Sequence, residues 1–413
     1  MTRHRTLTVI VDVRPGSEDS LRRVLEDFGG SIQEPACPAG FACSERIHFA
    51  RWVMLEPSAS PPGRPWQLAF CVSFDDIPLE AQLQEVVRVA AAALDQVYGH
   101  CDGYPGPSGP EEYLRAHAID ANAVFVGAPD RTLRQIRDEA RLRSAIEGFL
   151  NSHDLTGRRA TEVVEAIRKF VSAEPALHWS LQPAPARRRT RLRMILFVLG
   201  VFVLLPWIAI WLLLLRFRHE RFEQPDDLMP SGIDPGLLRE LERIEDLHLQ
   251  NQFSQLMVVK PGFYRRVTTK LVLWTTNFLS RNLFTRGEIS RIPSIHFASW
   301  TLIDGGTRMF FQSNFDGSWD SYLGDFIDKA AFGLNAFLSN CVGFPRTRFL
   351  FLDGVKDVEH YKAWARRANV STQAWYTAYP GLDVKNVNSN SRVRLGLLQP
   401  MNEAQAAEWL REL

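Results

Sequence analysis

The stretch "RIHFARWVMLE", residues 46–56, is written a second time as "SIHFASWTLID", residues 294–304. Both read as a strand by period-2 alternation, and the match continues outward on either side. Upstream, "VDVRPG" (11–16) is answered by "MVVKPG" (257–262). Downstream, "LAFCVSFDD" (68–76) is answered by "RMFFQSNFDG" (308–317), each followed by a long amphipathic stretch, 79–98 and 318–338. Then "CDGYPGP" (101–107) and "EEYLRAH" (111–117) correspond to "CVGFPRT" (341–347) and "EHYKAWA" (359–365). So many signals kept in one order indicate an internal duplication.

Periodicity predicts, in the first copy, strand 6–13, helix 17–28, strands 46–55 and 66–74, helix 79–98, a short helix near 111–117 and strand 122–127. In the second it predicts strand 254–260, helix 263–281, strands 294–303 and 308–315, helices 319–338 and 356–368, and strand 372–378. Without the short extra helix this is an α+β protein of two ferredoxin-like βαββαβ repeats. Each sheet carries helices on one face and needs a cover on the other, and the two copies are natural covers for each other. The division expected is repeat one at 1–150, a helical linker with an Arg-rich tail at 151–193 and an apolar segment at 194–215. A second linker at 216–250 and repeat two at 251–413 complete it.

The apolar segment, "MILFVLGVFVLLPWIAIWLLLL", has 22 residues and no charge. At ~1.5 Å per residue it makes roughly 33 Å of helix, enough for a bilayer core of about 30 Å. Arg187, Arg188, Arg189, Arg191 and Arg193 precede it, and Arg216, Arg218 and Arg221 follow it. Arginine on both flanks makes each flank read as cytosolic. Pro206 lacks an amide proton, so a kinked span and a re-entrant hairpin of 194–205 and 207–215 both stay open. The predicted location is a membrane, with the repeats on its cytoplasmic side.

The 413 residues carry 48 basic and 47 acidic side chains, a formal charge of +1 that offers nucleic acid no global field. The partners expected are therefore a lipid bilayer, a small-molecule ligand and a second copy of the chain, with no nucleic acid. The N-terminal residues have no apolar run long enough for a signal peptide. Five cysteines without a CxxC pair read as reduced thiols, and no metal-ligand set is assigned.

Alternation places His48, Ala50, Trp52 and Met54 on one strand face, as it does His296, Ala298, Trp300 and Leu302. That face is expected to line the space between the sheets, with Phe49 and Phe297 on the helix side. "NFDGSWDSYLGDF" (314–326) concentrates acids at a strand end and helix start, where they suit either capping or chemistry. The chemical reading pairs His296 with Asp316 as acid/base, beside Trp300, Trp319, Arg346 and Arg348 as substrate contacts. The first copy offers only Asp75 and Asp76 there, which assigns activity to the second.

The ordered double plan resembles the dimeric α+β barrel superfamily, in which ferredoxin-like units pair face to face. Within it, "SNFDGSW" (313–319) resembles the Asp-Gly haem-site motif of dye-decolourising peroxidases, with Ser313 where that family's leading glycine would be. The first copy reads "VSFDDIP" (72–78) and lacks the motif's second glycine too. The resemblance implies a haem pocket with Asp316 as distal acid. Two functions follow from the sequence: a membrane-held oxidoreductase acting on a small or lipophilic molecule, or a non-catalytic binding or scaffold module at the membrane.

Overall fold

The computed structural model describes residues 4–57, 63–183, 191–225, 232–246, 248–284 and 292–413. Arg187, Arg188 and Arg189 of the upstream basic flank lie outside these. In the first half, β1 (His4–Asp12), α1 (Glu18–Ser31), β2 (Ile47–Leu55), β3 (Gln67–Asp75) and α2 (Leu79–Tyr98) come in order. They are followed by α3 (Pro110–Ala116), β4 (Ala118–Asp120), β5 (Ala123–Val126) and α4 (Leu133–Ser152). Between the halves lie α5 (Ala160–Ala173), α6 (Arg191–Leu214) and α7 (Pro235–Glu242). The second half runs β6 (Gln250–Val258), α8 (Phe263–Asn282), β7 (Ile295–Ile303), β8 (Arg308–Asp316) and α9 (Trp319–Leu338). A short ribbon of β9 (Thr347–Arg348) and β10 (Leu352–Asp353) precedes α10 (Val358–Arg367), β11 (Ala374–Thr377), α11 (Val384–Leu397) and α12 (Glu403–Leu410). The periodicities locate the elements they predict to within a few residues, but they missed β4, α4, β9, β10, α11 and α12.

These elements form a mixed α and β protein with two main antiparallel sheets, ordered β11-β2-β3-β1-β4 and β5-β7-β8-β6. Each sheet takes an edge strand from the opposite half. Ala374 to Thr377 of β11 pair with Trp52 to Phe49 of β2, and Ala123 to Val126 of β5 pair with Trp300 to Phe297 of β7. A self-contained βαββαβ unit would return its last strand to its own first strand. Here that edge is already taken. β4 pairs with β1 through Leu7 and Asp120, and Ala368 and Val370 bond the backbone of β6. With its own edge satisfied, the next extended segment crosses over and covers the other half's open edge.

The crossing is tight. Gly127 N donates to His296 O (2.8 Å) and Ala378 N to His48 O (2.9 Å), at equivalent points of the two crossovers. A Cβ on Gly127 would stand 1.9 Å from the carbonyl oxygen of Ile295, so only glycine fits there.

The sheet faces correct the alternation reading. Ala50, Trp52 and Met54 pack with Leu21, Leu25 and Leu83 of the helices, and Ala298 and Trp300 pack with Leu323 and Phe337. Phe49 and Phe297 instead meet each other, with ring centroids 5.6 Å apart. The cause is a β-bulge at the same point in each half, between Ile47 and Phe49 and between Ile295 and Phe297. One extra residue, His48 or His296, reverses the alternation beyond it.

Between the sheets, Val53, Leu55, Ala69 and Cys71 pack on Leu256, Ile303 and Phe310. Arg51 crosses this apolar layer, donating to Phe253 O (3.0 Å), Ser254 Oγ (3.0 Å) and Ser313 O (2.9 Å), and to Asn314 Oδ1. A third core joins α4 and α5 to α11 and α12 through Ile146, Ile167, Val393 and Trp409.

The apolar segment is one continuous helix through Pro206, not two pieces. It is long and apolar enough to cross a membrane, and its middle is exposed on every side. Phe197 stacks on Phe278 (4.5 Å) and Trp211 on Tyr264 (3.9 Å), so α6 runs antiparallel beside α8. Its C-terminal continuation ends in buried Glu220, which accepts from Phe349 N (2.8 Å), Leu350 N (2.7 Å) and Thr347 Oγ1 (3.1 Å). Glu223 then accepts from Lys260 Nζ (2.7 Å) and Arg265 Nε (2.9 Å).

Candidate functional site

At one end of the sheets, the bulge in β2 or β7 meets the last residue of β3 or β8, and each half builds the same pair. His296 Nε2 donates to Asp316 Oδ1 at 2.7 Å, while Asp316 Oδ2 accepts from Val384 N, at the start of α11, at 2.8 Å. His48 Nε2 donates to Asp75 Oδ1 at 3.0 Å, and Asp75 accepts from Leu133 N, at the start of α4, at 3.3 Å. Each carboxylate therefore ties a strand end to an incoming helix, where free amides and the helix dipole favour negative charge. Asp75 and His48 thus reproduce in the first half the pair read from the second.

The halves differ around the pairs. His4 Nε2 donates to Arg131 O (2.7 Å) and lies 3.7 Å from Asp75 Oδ1, and its ring meets His48 edge-on at 5.1 Å. Burial, then the neighbouring His48, pulls the His4 imidazole down to about 4, so it is neutral at pH 7. Opposite Asp316 the corresponding strand residue is Gln250, which spends its amide on Tyr379 O and Thr377 Oγ1. Tyr379 stands between the two pairs, with its hydroxyl 3.3 Å from His48 Nδ1 and its ring 5.7 Å from that of His296. Burial, reinforced by Asp316 and Asp75, holds its hydroxyl well above the ordinary phenol range.

The remaining sequence-predicted residues are dispersed. Trp319 is buried with the Arg366 guanidinium 3.4 Å above its ring. Arg346 donates to Glu223 O (2.7 Å), and exposed Arg348 pairs with Asp353 (3.0 Å). Neither arginine is brought to His296. Trp300 stacks on Phe337 (5.0 Å) and faces a cavity of about 310 Å³ between the second sheet and helices α8 and α9. Phe311, Phe326, Phe337 and Leu279 also line it, with Gly333 and the exposed Phe332 on α9. In the first half the equivalent rings, Trp52 and Phe70, are covered by Phe41, whose centroid lies 5.5 and 6.2 Å from theirs.

The haem implied by the sequence resemblance does not fit these residues. His296 is 3% exposed, its Nε2 is spent on Asp316, and Phe49 and Tyr379 pack against its ring. Asp316 is likewise committed to two donors. Sequence reasoning also missed His4, Tyr379 and Arg51. His4 had a signal, since extending the "VDVRPG" match backwards aligns it with Gln250; Tyr379 and Arg51 are odd only against their counterparts Ala128 and Ser299.

No family model matches the chain. The comparison with curated proteins returns no match either.

Proposed function

We propose that the chain is a membrane-anchored tandem of two ferredoxin-like units closed into an intramolecular α+β barrel, and that it binds a small lipophilic molecule without transforming it. The observation that carries this reading is the cavity beside Trp300, mostly apolar and at the small end of the size range of ligand pockets. The cavity wall includes Thr276 and Leu279 of α8, the helix that α6 flanks, so a lipid-dissolved molecule has a short path to it. Binding, not catalysis, is favoured because both histidines are buried and both carboxylates are committed to a histidine and a helix-start amide.

Strand exchange bears on the membrane arrangement. β5 and β11 each belong to the other half's sheet, so the two halves share one side of any bilayer. α6, apolar on every face, is then the part that enters lipid from that side, with Phe197 and Trp211 against α8. Paired arginines at its ends suit that placement and make the shared side cytoplasmic.

Brominated fatty acid added to the detergent-solubilised chain tests the ligand reading. Bromine quenching of Trp300, taken as the difference from Trp300→Phe, is expected to saturate. Gly333→Phe is expected to abolish it, because a side chain there enters open space beside the cavity. No saturable quenching, or unchanged quenching in Gly333→Phe, would reject the reading.

A further inference from the structure

We propose that the first half holds a structural zinc ion between His4, His48, Asp75 and the carbonyl oxygen of Arg131. Three buried side chains of ligand type converge there, with their ligand atoms all within 4.8 Å of one another. The backbone oxygen of Arg131, 2.7 Å from His4 Nε2, is at hand as a fourth ligand. The separations are 2.7 Å from His4 Nε2 to Arg131 O, 3.0 Å from His48 Nε2 to Asp75 Oδ1 and 3.7 Å from His4 Nε2 to Asp75 Oδ1. They bracket the edge of about 3.3 Å that a tetrahedron with bonds of ~2.0–2.1 Å requires. Two imidazole nitrogens and two oxygens form a donor set suited to zinc, and four protein ligands make a closed, non-catalytic site.

Comparison with the second half separates this site from the fold. Asp316 and His296 build the same strand-to-helix tie without a third ligand, and Gln250 at the position of His4 turns to other partners. The fold therefore does not require a histidine at position 4. The outer nitrogen of a zinc-bound imidazole normally donates to an oxygen that fixes the ring. His48 Nδ1 has one in the Tyr379 hydroxyl at 3.3 Å, where the first half's own counterpart is Ala128. Zinc on Nε2 would shift each neutral imidazole's proton to Nδ1, so loading changes the tautomer and His48 Nδ1 then donates to the Tyr379 hydroxyl.

The test is metal content of the full chain, expressed in zinc-supplemented medium without a histidine tag and purified in detergent. The expected result is one zinc per chain in the wild type and in His296→Gln, and a loss of at least ten-fold in His4→Gln and His48→Gln. His4→Gln installs the residue that the second half already tolerates, so it reads the site even if His48→Gln fails to fold. Cobalt incorporated in place of zinc is expected to give the visible bands of a four-coordinate site, lost in His4→Gln. A wild type without stoichiometric zinc, or a His4→Gln variant that keeps it, overturns the proposal.

Discussion

Asp75 and Asp316 sit at matching strand ends and each accepts from one histidine and one helix-start amide. If they serve the fold, replacing either by Asn should destabilise the zinc-free chain, measured with chelator present, to a similar degree. Each variant weakens a charged acceptor at a helix start, for which losses of about 1–2 kcal/mol are typical. Urea unfolding followed by circular dichroism measures this. A loss confined to Asp316→Asn, accompanied by loss of ligand binding, would restore the one-sided active site that the sequence alone led us to expect. Asp316, Asp320 and Asp325 were legible as cap candidates from their place at a strand end and helix start. Their partners were not, because Leu133 and Val384 follow strands that change sheets.

At the scale of elements, the sequence told more about where strands lie than about which way they face or whom they join. A period-2 pattern carries no sign of an inserted residue, so the bulges at His48 and His296 reversed the expected faces of Trp52 and Trp300 without changing any strand boundary. Likewise "AVFV" (123–126) reads as a strand in any sheet, and its exchange is decided by a competitor, the short β4 beside β1. Gly127 allows that exchange, as its approach to Ile295 O shows. Gly127→Ala should cost more than about 2 kcal/mol, in the range of overpacked sites. Gly148→Ala, on α4 with nothing within 4 Å of the new methyl, should instead be neutral or stabilising by up to about 1 kcal/mol. Thermal unfolding of the two variants separates the effects. Equal shifts would mean that the crossover is not tight.

Over the whole molecule, the length of 194–215 and the need of each sheet for a cover pulled toward different arrangements. The structure reconciles them by placing α6 beside the joined halves instead of between them. The correspondence between the halves was readable because its signals keep their order. The interleaving was not, since pairings such as Trp52 with Ala374 join residues more than three hundred positions apart and leave no local trace. The shared core and the placement of both halves on one side of a membrane rest on that interleaving. The most direct test places cysteines at Val124 and Ser299, which are paired across β5 and β7, at the ~4.5–5.5 Å Cβ spacing from which a disulfide closes with a small adjustment. A protease site introduced within 226–231 then lets the halves be cut apart. The account predicts that the two fragments migrate together on a non-reducing gel, separate on reduction, and separate without reduction in either single-cysteine control. Fragments of the double variant that come apart under oxidising conditions would show that β5 pairs within its own half, and would contradict it.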